Sequence, residues 1–334
     1  MDRFLVVGSG SAGRRHALCI RNLYPSAQIM MVKRTTSTQP LEQLEAADIQ
    51  LVSTLEAGIA HGPEFAVIAS PATMHLADIE RLSVVCKSYL LEKPIASCSE
   101  DGREIHKLEA ERNLKVCVGH HLRFSDTSER FHELINLAGK DNLRSLSLSY
   151  GQHLRYWRPL ISGRDSVTAQ KELGGGVLRE LSHEIDAITF LASRPVRVQS
   201  AQSNFDGADT DGRVETTVDA IIETPTIATN LHLDMTSDVP YRIWDAVFPN
   251  FTFRANLLEG VISTVSPDGS TELEYKSSSG ERDKAEVALL SCAIEGAYSS
   301  KIGPCDVAQG VHILNTIEAI EESAVSGKSI DIAE

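Results

Sequence analysis

"RFLVVGSGSAGRRHA", residues Arg3 to Ala17, is the stretch from which the fold is read. The apolar run Phe4 to Val7 enters glycines at 8, 10 and 13, the G-x-G-x-x-G spacing, and Ser11 to Leu23 then reads as a helix ended by Tyr24-Pro25. A strand running in and a helix running out is the context a dinucleotide-binding turn requires. Gly8 would permit the tight turn, Gly10 the approach of a pyrophosphate, and Gly13 close helix–strand packing. Ser11 and Ala12 would add backbone N–H groups at the positive end of the helix. Short glycine spacings also arise by chance, so the rest of the chain has to support the motif.

Strands and helices alternate after it. Gln28 to Val32 and Glu64 to Ala69 read as strands, and Pro71 precedes a helix with apolar Leu76, Ile79, Leu82 and Cys86. A short strand at Tyr89 to Leu91, a helix over about Ser99 to Arg112 and a strand at Leu114 to Gly119 follow. Continuous apolar strands separated by amphipathic helices imply a parallel sheet covered on both faces. Beyond about His121 the pattern changes. Leu143 to Tyr150 alternates as a half-exposed strand does, and Val214 to Glu223 with Ile227 to Met235 reads as a hairpin. Ile243 to Phe248, Thr252 to Leu258 and Val261 to Val265 are further strands, and a helix over about Asp306 to Ser326 closes the chain. The expected class is α/β. It comprises an N-terminal Rossmann parallel sheet (residues 1–121), suited to a dinucleotide, and a C-terminal α+β domain with an open, mostly antiparallel sheet (residues 122–334).

Composition sets the outer limits. A chain of 334 residues with 42% hydrophobic and 23% charged residues has the balance of a globular two-domain protein. The net charge of −14 argues against nucleic acid, which needs a basic face. No stretch approaches the ~20 apolar residues of a membrane span, and Asp2-Arg3 before a strand is no secretion signal. Six cysteines without a C-x-x-C pair point to buried thiols in a reducing cytoplasm and to no metal site.

The end of the second strand discriminates between cofactors. An NAD site usually places an acid there for the ribose 2′-hydroxyl, whereas NADP calls for a cation. Here the strand ends in Lys33-Arg34-Thr35, and no acid comes before Glu42. Arg34, helped by Lys33 or Thr35, suits a 2′-phosphate, so NADP is preferred, with NAD the alternative.

"FAVIASPATMHLADIERL", "YLLEKPIA", the strand ending "GHH" and "GGGVLRELSHEID" (Gly174 to Asp186), together with the glycine turn, resemble the Gfo/Idh/MocA oxidoreductases over nearly the whole chain. The resemblance implies a nicotinamide cofactor, a sugar-like or sugar-derived substrate, and a homodimer or homotetramer formed through the C-terminal sheet. It implies that Lys93 relays the hydroxyl proton, with Glu92 and Pro94 positioning it, and that Ser70, Pro71, Thr73 and His75 line the nicotinamide ribose. His183 matches the second catalytic position, and helical spacing would set Arg179, His183 and Asp186 on one face. Where the family commonly has an aspartate four residues before this histidine, the chain has Arg179, with Glu180 next to it. Arg123, Arg155, Trp157 and Arg158 complete the expected substrate contacts: the arginines suit an anionic group, and Trp157 a sugar ring. Two other readings stay open: a glycoside-cleaving enzyme with tightly held NAD, and a non-catalytic dinucleotide or sugar sensor. The lack of a Y-x-x-x-K pair, with Tyr298 and Lys301 three apart, argues against a short-chain dehydrogenase.

Overall fold

The computed structural model describes residues 1–333 apart from 35–41, 158–165, 208–209, 211, 279 and 297–299. It divides into two compact units. The first holds Met1–His120 with part of the chain from Glu286 onward and Pro304–Leu314; the second holds His121–Ala285, Ser300–Gly303 and the chain from Asn315.

In the first unit, strands β1 (Arg3–Val7), β2 (Gln28–Val32), β3 (Ile49–Val52), β4 (Phe65–Ile68), β5 (Ser88–Leu91) and β6 (Lys115–Val118) form a parallel sheet in the order β3-β2-β1-β4-β5-β6. Helices α1 (Ser11–Leu23), α2 (Glu42–Ala46), α3 (Leu55–Ala60), α4 (His75–Leu82) and α5 (Ser99–Arg112) connect the strands. This is the doubly wound order in which ligands bind outside the carboxyl ends of the central strands. Phe4, Leu5, Val6 and all of Phe65–Ile68 are fully buried, as the unbroken apolar runs require. α5 stops where Asn113 adopts left-handed φ of 51°.

The second unit carries β7 (Ser145–Gly151), β8 (Arg197–Asn204), β9 (Thr217–Glu223), β10 (Ala228–Asp234), β11 (Tyr241–Val247), β12 (Thr252–Asn256), β13 (Val261–Val265), β14 (Thr271–Lys276) and β15 (Ile330–Asp331). Among the described residues they pair as β14-β13-β12-β11-β7-β10-β9-β8-β15, antiparallel except for β10 on β7. Helices α6 (Asp126–Leu137), α7 (Leu154–Trp157), α8 (Val177–Glu180) and α9 (Ser182–Leu191) belong to this unit, while α10 (Glu281–Glu295) and α11 (Val307–Ser326) each contribute a stretch to both units. Its core gathers round Trp244, with Phe131 and Phe190 at ring separations of 6.1 and 6.2 Å. No helix among the described residues is long and apolar enough to cross a membrane.

One local expectation is corrected here. The "LRELSHEID" segment is two helices, not one: α8 ends at Glu180, and Leu181, at φ −104° and ψ 26°, separates it from α9. The four-residue step from Arg179 to His183 therefore does not follow one continuous helical face.

Candidate functional site

The turn after β1 is shaped by contact. Gly8 has φ of +108°, and a Cβ there would lie 2.3 Å from the Ala69 carbonyl oxygen. A Cβ on Gly13 would lie 2.1 Å from the Gly8 carbonyl oxygen, so only glycine lets α1 pack this closely. Gly10 differs: among the described residues nothing lies within 4 Å of where its Cβ would stand, and it caps α1 with no side-chain hydrogen bond. The first turn of α1 contains no acid. An open backbone position at a helix N-terminus without a competing carboxylate fits the pyrophosphate of a dinucleotide, with Gly10, Ser11, Ala12 and Gly13 supplying the cradle.

Around this turn the carboxyl ends of β2, β1, β4 and β5 place the other residues of the first unit. Lys33, after β2, donates its backbone N–H to the Val52 carbonyl at 2.8 Å. Arg34 grips Asp78 of α4 with both terminal nitrogens, at 3.0 and 2.5 Å, and the Ser70 hydroxyl donates to the same carboxylate at 2.7 Å. Asp78, which the sequence reading does not single out, thus fixes the plane of the Arg34 guanidinium. Thr35 lies outside the described residues. Pro71 follows Ser70, Thr73 is exposed, and His75 is buried with its ring nitrogens facing the Ser70 and Ile95 carbonyls at 2.9 and 3.1 Å. Burial lowers the His75 pKa against the pull of those carbonyls.

Glu92 and the half-buried Lys93 follow β5. Glu92 accepts from His16 Nε2 of α1 at 2.5 Å, and its other oxygen lies 3.2 Å from the Lys93 backbone nitrogen. Burial alone would push the Glu92 carboxyl up. The hydrogen bond and charge of His16, with Arg15 and Lys93 beside it, hold it well below the usual carboxylate range.

In the second unit His183 is 6% exposed, and its ring meets that of His121 edge to face at 4.5 Å. His121 is a further candidate that the sequence reading passes over; the signal was the doubled histidine after β6. Arg123 is closed on Asp186 through three contacts of 2.6 to 3.0 Å, and these two side chains are 2% and 1% exposed. Arg179 reaches Glu321 at 2.5 Å, Glu180 accepts from the Thr168 hydroxyl at 2.6 Å, and Arg155 pairs with Asp238 on the surface. Trp157 stacks on Tyr150 at 6.3 Å, and Arg242, itself paired with Glu184, lies over the Tyr150 ring at 4.7 Å. Arg158 lies outside the described residues. The triple glycine packs tightly: a Cβ on Gly176, at φ +114°, would lie 2.3 Å from the Glu215 carboxylate. Among the described residues no cluster of three or more His, Cys, Asp or Glu is arranged to hold a metal ion.

A doubly wound parallel sheet with a bare glycine-capped helix at its first strand end defines a dinucleotide-binding Rossmann protein. Residues 3–120 match the model of the oxidoreductase family with an NAD-binding Rossmann fold, GFO_IDH_MocA. It is 30% identical over 148 residues to a 1-carboxy-3-chloro-3,4-dihydroxycyclohexa-1,5-diene dehydrogenase of Comamonas testosteroni, covering 43% of this chain and 36% of that one. It is 24% identical over 194 residues to scyllo-inositol 2-dehydrogenase (NADP(+)) IolW of Bacillus subtilis (strain 168), covering 57% and 51%. The matches therefore span between about a third and a half of the length of these relatives. Levoglucosan dehydrogenase in complex with NADH and levoglucosan has the same fold over 100% of both chains, with a TM-score of 0.82 at 16% identity. GenD2 from gentamicin A biosynthesis in complex with NAD aligns with a TM-score of 0.79 at 19% identity, over 100% of this chain and 97% of that one.

Proposed function

We propose that the chain is an oxidoreductase that uses a nicotinamide cofactor, NADP in preference to NAD, on a carbinol or carbonyl carbon of a sugar or sugar-derived substrate. One observation carries the reading. Arg34, the glycine turn, Ser70 and Lys93 stand at the carboxyl ends of the adjacent parallel strands β2, β1, β4 and β5, where this topology places a ligand. When bound, the nicotinamide supplies or accepts hydride at C4. Lys93 exchanges the proton on the substrate oxygen, and His183 supplies a hydrogen bond to the substrate. Lys33 and Arg34 support NADP, and Asp78 offsets part of their charge. The names of the inositol and levoglucosan dehydrogenases support a hydroxylated ring as substrate. Because Arg123, Arg155 and Arg179 each face a carboxylate, the arrangement favours an uncharged substrate over an anionic one. The second unit binds the substrate, and its open sheet makes a cytoplasmic homodimer or homotetramer.

Thermal shift with NADP and NAD separately, followed by a screen of neutral and acidic sugars and cyclitols, tests this reading. A ligand that binds only the native state adds RT ln(1 + [L]/Kd) of stability. Stronger stabilisation by NAD would remove the NADP preference. Lys93→Met is expected to keep cofactor affinity while turnover falls by about 10²–10⁴; undiminished turnover would take Lys93 out of the reaction.

A further inference from the structure

His16 is fully buried on α1, one and a half turns beyond the glycine cap, and its Nε2 lies 2.5 Å from Glu92 Oε1. An ionised carboxylate only accepts, so Nε2 carries the proton. Among the described residues Nδ1 is buried with no hydrogen-bond partner, which leaves Glu92 as the one polar group there that the imidazole serves. From the other side Gly119 backs the same carboxylate. A Cβ there would stand 3.1 Å from Glu92 Oε2 and 3.2 Å from its Cα, and the Gly119 N–H donates to Leu91 at 2.8 Å. The Glu92 side chain is therefore held between α1 and the end of β6, and its second oxygen faces the Lys93 backbone N–H. Beyond Pro94 the same corner is held by His75, through the Ile95 carbonyl. Arg15, paired with Glu286 at 3.0 Å, is the other cation near this carboxylate.

We propose that His16 is a positioning residue for Lys93, acting through Glu92. Its hydrogen bond keeps a largely buried carboxylate ionised beside the lysine and ties the lysine corner to the helix that begins at the glycine turn. The proposal rests on the reading of Lys93 as the proton-exchanging group. Its physical content, that His16 governs Glu92 and Glu92 governs Lys93, is readable without turnover.

The test uses the full chain with His16→Leu, His16→Gln, Glu92→Gln and the double variant His16→Leu/Glu92→Gln. Glu92 is followed by carboxyl carbon NMR, assigned by its loss in Glu92→Gln. The reactivity of Lys93 towards trinitrobenzenesulfonate is read by peptide mass spectrometry relative to exposed Lys87, and NADPH affinity by fluorescence. In His16→Leu the Glu92 titration moves up in pH, because Arg15 and Lys93 are then left to oppose burial without the His16 hydrogen bond. Lys93 labels roughly tenfold faster once Glu92 no longer anchors the corner that carries it. His16→Gln, which keeps a donor, restores both values. Glu92→Gln reproduces the labelling change alone, and the double variant adds nothing further, as expected for residues acting in one chain of contacts. If His16→Leu does not fold, His16→Gln and Glu92→Gln still decide the matter. Unchanged Lys93 labelling in Glu92→Gln, or additive changes in the double variant, would overturn the proposal. Failure of the wild type to bind NADPH would instead strike the functional reading and leave this one standing.

Discussion

The two units differ in what they leave open to an anion, although each has an arginine forked onto a carboxylate, Arg34 on Asp78 in the first. In the first, the end of α1 is left bare: Gly10 has no side chain, the first turn has no acid, and among the described residues nothing comes within 4 Å of where a Gly10 Cβ would stand. In the second, the three arginines singled out by the sequence and described by the structure are each closed on a carboxylate of that unit: Arg123 on Asp186, Arg155 on Asp238 and Arg179 on Glu321. An anion site is therefore made by backbone whose N–H groups are left open to a ligand, and a count of cationic side chains does not locate one. A guanidinium already forked onto a carboxylate has spent much of its charge and its bidentate geometry.

The sharpest way to separate the units is Arg123→Met. It leaves Asp186 as a buried charge without its fork and should cost about 3–5 kcal/mol, seen as a lower denaturant midpoint with NADPH affinity unchanged. Weakened NADPH binding in the folded variant would break the separation. Within the glycine turn two substitutions should behave differently. Gly13→Ala meets a carbonyl oxygen and should destabilise the chain by about 1–3 kcal/mol. Gly10→Ala should leave the melting temperature without ligand nearly unchanged and weaken NADPH by about tenfold, ~1.4 kcal/mol. Equal melting temperatures for the two variants would show that the turn is not shaped as described.

A subtler contrast lies between two carboxyls largely withdrawn from water. Glu92 is held low by His16, so its contribution is present above the ordinary carboxylate pKa and fades as pH falls through the lowered value. Glu215 is pushed up mainly by burial, so the native state retains a proton that the unfolded chain loses, and stability falls as pH rises through that range. Glu215→Gln should raise the melting temperature at pH 8 and leave it unchanged at pH 3; a shift of equal size at both would contradict the cause. Least affected should be Arg155→Ala, whose exposed pair with Asp238 is worth at most about 1 kcal/mol, checked by the same melt.

Much of the first unit is legible because its signals are local. Unbroken apolar runs mark β1, β2 and β4, and the glycine spacing with "EKP" marks two strand ends. Legibility fails where local pattern is weak: β8 reads RVQSAQSN and the edge strand β14 reads TELEYK, with little apolar alternation to declare a strand. It fails again at Leu181, where a helical period in the sequence continues through a backbone break at φ −104° and ψ 26°.

By itself the sequence determined that the first sheet is parallel, where its glycine turn lies and that Lys93 follows the strand at Tyr89 to Leu91, since these follow from hydrophobic periodicity and from motifs within a few residues of each other. Only the tertiary structure decided that Arg34 meets Asp78, that Arg123 meets Asp186, and that His16 meets Glu92 across 76 positions. Such pairs depend on which strands become neighbours. No local rule of helix or strand specifies the partner of a charge brought to it from a distant part of the chain.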